Sequence, residues 1–271
     1  MYRFWDTALH SNVTTGNGKR KLSTLATSVT PIGFIGYVRS VTKKDSMNYL
    51  LTSSGISNTS IQNTLVDLLG KPIAECSALI IPTSAYYFLP VGADIAYRLI
   101  NGTAKSPMGE LGWKSLGVLE LTALPSVDLE QWVPRVRETD ALIVGGGDPQ
   151  YLCHWMRESG LADLLPTLSA TVYVGISGGS MAVTASFGEN YNDRVVASTG
   201  SETPLGFIPL AMGVHMDHEA MPDNSRAEVA KWAADITVPT YGIDDQTAIK
   251  VVDGAIDVIS EGHWEIFPPK Q

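Results

Sequence analysis

The sequence lacks any run of apolar residues that approaches the roughly 20 needed to cross a bilayer as a helix. The longest candidate lies near residues 31–38, where Pro31, Gly33 and Gly36 interrupt it. Basic residues are scarce as well, because 19 Lys and Arg face 28 Asp and Glu, which leaves a formal charge of -9. Nucleic-acid binding generally requires a basic surface. We therefore predict no membrane segment and no nucleic-acid partner.

Cysteine and histidine are also scarce. Cys76 and Cys153 are the only cysteines, and two such residues form neither a disulfide framework nor a zinc site. They are typical of buried free thiols in a reducing compartment, so we predict a cytoplasmic protein without a metal site. The five histidines leave few candidates for a general base.

The first 46 residues differ from the rest of the chain. They contain seven Lys or Arg and two Asp or Glu, and they are rich in Ser and Thr. They show no sustained apolar period of 2 or 3.6 residues. We predict a poorly ordered basic leader over residues 1–46 and one domain over residues 47–271. A start codon assigned too early, with Met47 as the true start, is the simpler explanation; an organelle transit peptide is the alternative.

Short apolar segments alternate with amphipathic ones after the leader. The predicted strands cover 48–52, 78–82, 115–121, 141–144, 171–176 and 205–214, and the predicted helices cover 59–69, 129–136, 149–159 and 178–185. Such alternation indicates an α/β fold of three layers, in which helices cover both faces of a parallel sheet. In these sheets, ligands bind at the carboxyl ends of the strands.

One such strand leads into a candidate nucleophile. Gly175-Ile176-Ser177-Gly178-Gly179 fits the pattern Gly-x-Ser-x-Gly. A nucleophile between a strand and a helix needs a tight, strained turn, and flanking glycines let the neighbouring backbone approach. The N-terminus of the following helix favours the developing negative charge. We predict Ser177 as the nucleophile of a serine hydrolase; a structural turn or an anion-binding loop is the alternative.

A serine nucleophile needs a base and a carboxylate that orients it. His215 ends the predicted strand 205–214, where its side chain can reach over the sheet edge, so we predict His215 as the base, with His218 as its competitor. Between Ser177 and His215 the carboxylates are Glu189, Asp193 and Glu202. The sequence pattern alone favours neither Glu189 nor Asp193 as the carboxylate of the triad. Both lie close after the serine, whereas an α/β-hydrolase generally places its acid far downstream.

Three glycines and Asp148 follow the predicted strand 141–144. This segment has no lysine, so it is not a phosphate-binding P-loop, and we predict no cofactor. Backbone N–H groups free of side chains can stabilise an oxyanion beside a nucleophile. We predict that the N–H groups of Gly147 and Gly178 form an oxyanion hole; a plain tight turn is the alternative.

Taken together, the motifs resemble the dipeptidase E (aspartyl dipeptidase) and cyanophycinase family of serine peptidases over nearly all of residues 47–271. The segments that carry the resemblance, in chain order, are Leu50-Leu51-Thr52-Ser53-Ser54-Gly55 with Asn58, Leu69-Gly70-Lys71-Pro72, Ile80-Ile81-Pro82-Thr83, Val144-Gly145-Gly146-Gly147, Gly175 to Ser180, Leu205 to Leu210, His215, and Tyr241-Gly242-Ile243-Asp244-Asp245-Gln246-Thr247-Ala248. The resemblance implies a fold like class I glutamine amidotransferases, which is flavodoxin-like, with serine in place of their cysteine.

The resemblance also implies site residues. Ser177 would be the nucleophile and His215 the base. The family's acid lies in a loop shortly after the nucleophile helix, and Asn192-Asp193 fits that context best, while Glu189 stays open. Aspartyl dipeptidases bind the acidic side chain of the substrate with an arginine downstream of the histidine. Arg226 lies in a similar place, although its spacing is shorter.

This chain departs from the family after the glycines, where it has Asp148 instead of Asn, and after the nucleophile, where it has Gly178 instead of Ala. A carboxylate beside the oxyanion hole would either oppose the developing charge or bind the amino group of the substrate. The second role suits a dipeptidase, so we predict that Asp148 binds the free amino group of a dipeptide. The predicted function is a serine peptidase that hydrolyses short peptides through an acyl-enzyme, as a monomer or homodimer. The alternatives are an esterase or amidase acting on a small molecule, and a non-catalytic member that binds a ligand in the same cleft.

Overall fold

The computed structural model describes residues 46–87, 92–104, 108–188 and 203–271. Its strands are β1 Asn48–Thr52, β2 Ser77–Ile81, β3 Ser115–Val118, β4 Ala141–Val144, β5 Val172–Ile176, β6 Ala211–Gly213, β7 Thr240–Ile243, β8 Thr247–Val252, β9 Ala255–Ser260 and β10 Trp264–Phe267. Its α-helices are α1 Thr59–Leu69, α2 Thr83–Tyr86, α3 Gly92–Asn101, α4 Leu129–Arg137, α5 Pro149–Glu158, α6 Leu161–Leu164, α7 Gly178–Met181 and α8 Arg226–Ala233. The predicted leader falls outside these ranges except for its last residue.

The central sheet has seven strands in the order β3-β2-β4-β5-β1-β8-β9. The first five run parallel to one another. The last two pairings are antiparallel: β8 pairs antiparallel with β1, and β9 pairs antiparallel with β8. A second sheet, β10-β7-β6, has three strands.

Both faces of the central sheet are buried. Successive side chains of a strand point to opposite faces, so each strand contributes side chains to two cores. On one face, Leu51 and Tyr173 belong to a core that includes residues of α4 and α5. On the other face, Leu50 and Ile143 belong to a core that includes residues of α1 and α3. The three-layer α/β fold predicted from the sequence is therefore confirmed.

Helix α1 shows how local residues set an element's bounds. The Asn58 side chain accepts a hydrogen bond from the backbone N–H of Ile61 at 3.0 Å, which caps the first turn. Gly70 ends the helix with a φ of 67° and donates its N–H to the Val66 carbonyl. Within the helix, the side chains of Ile61 and Leu65 are fully buried. The predicted bounds 59–69 are confirmed.

Three predicted elements are several residues shorter than expected. The predicted strand 115–121 is a strand only at Ser115–Val118, and a short 3-10 helix begins at Leu121. The predicted strand 205–214 is a strand only at Ala211–Gly213, in the second sheet. Pro209 interrupts the segment because proline has no N–H to donate, and its earlier part packs against the turn after α7, where Ile208 forms an isolated bridge with Thr184. The predicted helix 178–185 ends at Met181, and the carbonyls of Ala182 and Val183 accept N–H groups of the 205–208 segment instead of continuing the helix.

Three further features concern only the residues that the structure describes. Within them, no helix is long and apolar enough to cross a membrane. In the same ranges, no group of three or more His, Cys, Asp or Glu side chains is arranged to hold a metal ion. Cys76 and Cys153 are both free and buried, as expected from their isolation in the sequence.

Candidate active site

Ser177 lies in the turn between β5 and α7. Its φ of 51° and ψ of -118° fall outside the ordinary regions for a residue with a side chain. Its backbone N–H donates to the Thr52 carbonyl at 3.0 Å, which ties the turn to the end of β1. A strained backbone held by its neighbours is typical of functional positions.

Two glycines let the backbone close around this turn. Gly178 lies so close to the Gly147 carbonyl oxygen that an added Cβ would overlap it. Gly147 has a φ of 137°, and a Cβ there would overlap the Ser84 carbonyl oxygen. Only glycine fits at either position without a shift of the backbone. The loop after β4 is thereby held against the nucleophile turn.

His215 lies two residues after β6, where its ring meets Ser177. Its Nε2 is 2.9 Å from the Ser177 Oγ. Its φ of 56° is unusual for histidine, and its backbone N–H donates to the Ser53 Oγ at 2.8 Å. The structure therefore brings together the serine and the histidine that the sequence singled out. Their contact is the one expected between a nucleophile and a general base.

The other nitrogen of the same ring faces Asp245. The Asp245 Oδ1 is 2.6 Å from the His215 Nδ1. Asp245 lies two residues before β8, and β8 runs antiparallel to β1, so Ala248 pairs with Thr52. Because of that direction, the start of β8 lies at the same sheet edge as the carboxyl ends of the parallel strands. Ser177, His215 and Asp245 thus form a continuous chain of side chains.

Ser53, the residue after β1, links the histidine to the aspartate. Its hydroxyl accepts the backbone N–H of His215 and donates to the Asp245 Oδ1 at 2.9 Å. The Ser53 Oγ also lies 3.3 Å from the His215 Nδ1. These contacts fix both the unusual backbone of His215 and the direction of the carboxylate.

The surroundings of Asp245 favour its ionised form. Burial alone would raise the pKa of this carboxyl, but the hydrogen bond and charge of His215, the hydrogen bond from Ser53 and the charge of His218 outweigh it. The net result is a pKa below the ordinary value of 3.8. A carboxylate that stays ionised can hold the imidazole in one tautomer and stabilise the imidazolium that forms in catalysis.

His218, the competing candidate base, lies beside the carboxylate instead of the nucleophile. Its Nε2 is 3.7 Å from the Asp245 Oδ2, beyond hydrogen-bond distance. Its ring is edge-on to the ring of His215, with centroids 6.3 Å apart. The geometry therefore favours His215 over His218 as the base.

The two carboxylates named from the sequence, Asp193 and Glu189, lie outside the described residues. Asp245 lies outside the interval between Ser177 and His215 in which the acid was predicted. A sequence signal for Asp245 is nevertheless present, since it belongs to one of the segments that carry the family resemblance and follows an apolar strand. The chain order of a triad varies among unrelated hydrolases, so an acid after the histidine is equally compatible with the chemistry.

The glycine loop after β4 presents backbone N–H groups near the nucleophile. Ser84 holds this loop, because its hydroxyl lies 2.7 Å from the Gly145 carbonyl oxygen and 3.0 Å from that of Gly146. Within the described parts of the chain, no acceptor is paired with the N–H of Gly147 or of Gly178. Both groups remain available for an oxyanion, so the predicted role of Gly147 and Gly178 stays a reasonable hypothesis.

Asp148 has a structural contact that the sequence analysis did not anticipate. It is the N-cap of α5, and its Oδ1 accepts the backbone N–H of Tyr151 at 2.7 Å. Burial raises the pKa of this carboxyl, although the N–H groups of Tyr151 and Gln150 partly oppose the shift. The predicted binding of a substrate amino group stays a prediction, and the capping contact explains the carboxylate without it.

A pair of variants separates the two roles of Asp148. Asp148→Asn keeps an oxygen that can cap α5, so we expect unchanged stability and unchanged kinetics on dipeptides. Asp148→Ala removes the cap and should lower the free energy of unfolding by about 1 kcal/mol. Denaturant unfolding and steady-state kinetics measure the two effects. A large rise in KM for Asp148→Asn, at unchanged stability, would instead support recognition of the amino group.

Arg226, the other predicted substrate ligand, is engaged elsewhere. It begins α8, and its Nε and one terminal nitrogen lie 2.5 and 2.7 Å from the two carboxylate oxygens of Glu265 in β10. It is not among the residues that line the cavity in front of Ser177. The structure therefore does not bring Arg226 to the serine, and its role in binding an acidic substrate stays a prediction.

A cavity of about 440 Å³ opens in front of the nucleophile. The parts of the chain that the structure describes line it with Ser53, Ser54, Ile95, Arg98, Leu99, Ala104, Met108, Gly146, Gly147, Ile176, Ser177, Val214, His215, Met221 and Asn224. Ser177, His215 and Gly147, one of the two candidate oxyanion donors, all line this space. Its volume suits a small ligand.

Comparison with known proteins agrees with this geometry. The family model described as Peptidase family S51 matches residues 49–259, which is more than half of the chain. A curated relative, the protein named Peptidase E from Nostoc sp. (strain PCC 7120 / SAG 25.82 / UTEX 2576), is 24% identical over 139 residues. That match covers 49% of this chain and 57% of the relative, so it spans little more than half of the relative's length.

Solved structures support the same fold. A protein from Listeria monocytogenes EGD-e, assigned provisionally as a peptidase E, is 15% identical with a TM-score of 0.55, covering 80% of this chain and 100% of its own. A peptidase from an acI-B1 Actinobacterium is 18% identical with a TM-score of 0.57, covering 83% of this chain and 96% of its own. At these identities the likeness is one of fold, and it agrees with the amidotransferase-like architecture predicted from the sequence.

Proposed function

Since the chain belongs to peptidase family S51, a family of serine peptidases, we propose that it hydrolyses short peptides with Ser177 as nucleophile, His215 as base and Asp245 as the orienting acid. The observation that carries the proposal is the unbroken contact from the Asp245 carboxylate through both ring nitrogens of His215 to the Ser177 hydroxyl. A purely structural turn would not need this arrangement.

The first half of the proposed reaction forms an acyl-enzyme. The Ser177 oxygen attacks the carbonyl carbon of the peptide bond while the His215 Nε2 takes the hydroxyl proton. The carbonyl oxygen becomes an oxyanion, which the N–H groups of Gly147 and Gly178 stabilise. His215 then gives its proton to the leaving amine, and the C–N bond breaks.

The second half releases the product. Water attacks the ester carbonyl, and His215 takes its proton and returns one to the Ser177 oxygen as the ester bond breaks. Asp245 remains ionised throughout and holds the proton-bearing Nδ1 of the ring. Because the pKa of Asp245 lies below its ordinary value, this carboxylate keeps its charge at neutral pH.

A fluorophosphonate probe tests whether Ser177 is an activated nucleophile. We expect the probe to label the wild-type protein at Ser177, as identified by peptide mass spectrometry, and to leave Ser177→Ala unlabelled. Ser180→Ala is the matched control, since the Ser180 hydroxyl is buried and donates to the Thr52 carbonyl at 2.7 Å; this variant should still be labelled. Absence of labelling in the wild type would favour a protein that only binds a ligand.

The choice between a peptidase and an esterase depends on the substrate. A set of dipeptides with free or blocked N-termini, assayed beside simple esters, distinguishes the two. We expect the protein to hydrolyse free dipeptides. We also expect the rate acceleration over the uncatalysed reaction to be smaller for the esters than for the dipeptides. The cytoplasmic location and the monomeric or dimeric state predicted from the sequence stay predictions.

A further inference from the structure

The cavity in front of Ser177 is walled mainly by apolar side chains. The apolar residues of its lining are Ile95, Leu99, Ala104, Met108, Ile176, Val214 and Met221. Leu99 and Met108 are almost fully buried. The residues that contact a substrate therefore offer more hydrophobic surface than hydrogen-bonding groups.

The direction of the reaction divides this cavity into two sides. His215 must protonate the leaving amine, so the leaving group faces His215 and the residues that follow it, such as Met221 and Asn224. We assign the acyl part of the substrate to the remaining lining, which includes residues of α3 and Met108.

The wall formed by α3 lies directly against the candidate oxyanion loop. A Cβ built on Gly145 would be 2.7 Å from the Leu99 Cδ2, so this leucine fills the space beside the loop. Ile95 precedes Leu99 by one helical turn and is half-buried at the cavity. A side chain on the residue that acylates Ser177 would be brought against these two residues.

Arg98 is the one cationic residue that the described ranges contribute to this lining. Its guanidinium forms an ion pair with Asp94, one turn earlier on α3. Both side chains are about half exposed, at 52% and 54%. The positive charge is therefore matched by a neighbouring carboxylate and hydrated, so an acidic substrate side chain would have to compete with Asp94 for it.

We propose that the residue whose carbonyl Ser177 attacks carries an apolar side chain of about the size of leucine or methionine, seated against Ile95, Leu99 and Met108. This inference rests on the proposed peptidase function and specifies its substrate. Burial of an apolar side chain is favourable, whereas a carboxylate moved into the same wall loses hydration without gaining an unpaired cation from the described residues of the lining.

Kinetics on unblocked dipeptides of the form X-Ala test the preference. With wild-type protein, kcat/KM for Leu-Ala and Met-Ala should exceed that for Asp-Ala by about tenfold or more, the usual scale of discrimination by an apolar pocket. The fluorophosphonate reaction at Ser177, measured on the same preparation, reports whether the nucleophile is functional.

A positive charge placed in the wall formed by α3 should weaken the preference for Leu-Ala over Asp-Ala. Ile95→Arg should lower kcat/KM for Leu-Ala by about tenfold or more and shift the ratio toward Asp-Ala. Tyr97→Arg is the matched control, because Tyr97 lies on the same helix, is 65% exposed and does not line the cavity; it should leave both values unchanged. Thermal unfolding of both variants checks that they fold.

The outcomes separate the two levels of the proposal. Equal or faster hydrolysis of Asp-Ala by the wild type overturns the apolar preference and leaves the peptidase function standing. Failure to hydrolyse any dipeptide together with failure of Ser177 to react with the probe overturns the proposed function itself. Labelling of Ser177 without hydrolysis of any dipeptide overturns the peptide substrate and the preference together.

Discussion

Ser177→Ala is expected to lower kcat for dipeptide hydrolysis by a factor on the order of 10⁴ or more. The variant loses the attacking oxygen but keeps the glycine loop and the cavity, so KM should change little. Initial rates at saturating substrate, with enzyme concentrations high enough to detect the residual activity, measure the loss. A fall of less than about tenfold would be incompatible with covalent catalysis by this residue.

Two histidine variants sharpen that result. His215→Ala should cost about as much as Ser177→Ala, and the double variant should cost no more than either alone, because the two residues act as one unit. His218→Ala should retain most of the activity, since the His218 Nε2 lies 3.7 Å from the Asp245 Oδ2. Comparable losses for both histidines would contradict the assignment of the base.

Asp245→Asn is expected to lower kcat by about 10³- to 10⁴-fold with little change in the fold. The asparagine amide can donate to the His215 Nδ1, which favours the tautomer whose Nε2 carries a proton and cannot accept one from Ser177. Steady-state kinetics across neutral pH, with thermal unfolding as the check on structure, measure the effect.

Asp193→Asn is the matched comparison, because Asp193 is the acid that the resemblance favoured. If Asp245 orients His215, no second carboxylate is needed for that role, so the Asp193 variant should keep activity within about threefold of the wild type. A large loss for Asp193→Asn with a small one for Asp245→Asn would restore the acid predicted from the sequence.

The fold was predictable because its signals are local and repeated. Buried strands such as Ala141–Val144 are continuous apolar runs, and α1 has a cap and a glycine stop at its ends. The segment from residue 205 to 214 was less predictable, because its apolar side chains join the main core although only Ala211–Gly213 forms a strand. Hydrophobicity reports burial but does not tell how the backbone hydrogen bonds are satisfied.

The site was predictable where chemistry is encoded in adjacent residues, and less so elsewhere. The glycines around Ser177 mark a strained turn, and His215 ends an apolar segment. The contact of Asp245 with His215 depends on the antiparallel pairing of β8 with β1, a long-range feature that no local pattern carries. The apolar wall of the cavity likewise depends on how α3 packs against the glycine loop.

The antiparallel start of β8 has a consequence for the order of events during synthesis. Ser177 and His215 leave the ribosome well before Asp245, and the carboxylate reaches the imidazole only when β8 adds to β1. On the proposed mechanism, a nascent chain that has already formed its parallel strands carries a nucleophile and a base without the residue that orients them. On this mechanism, full hydrolytic activity requires that β8 has paired with β1.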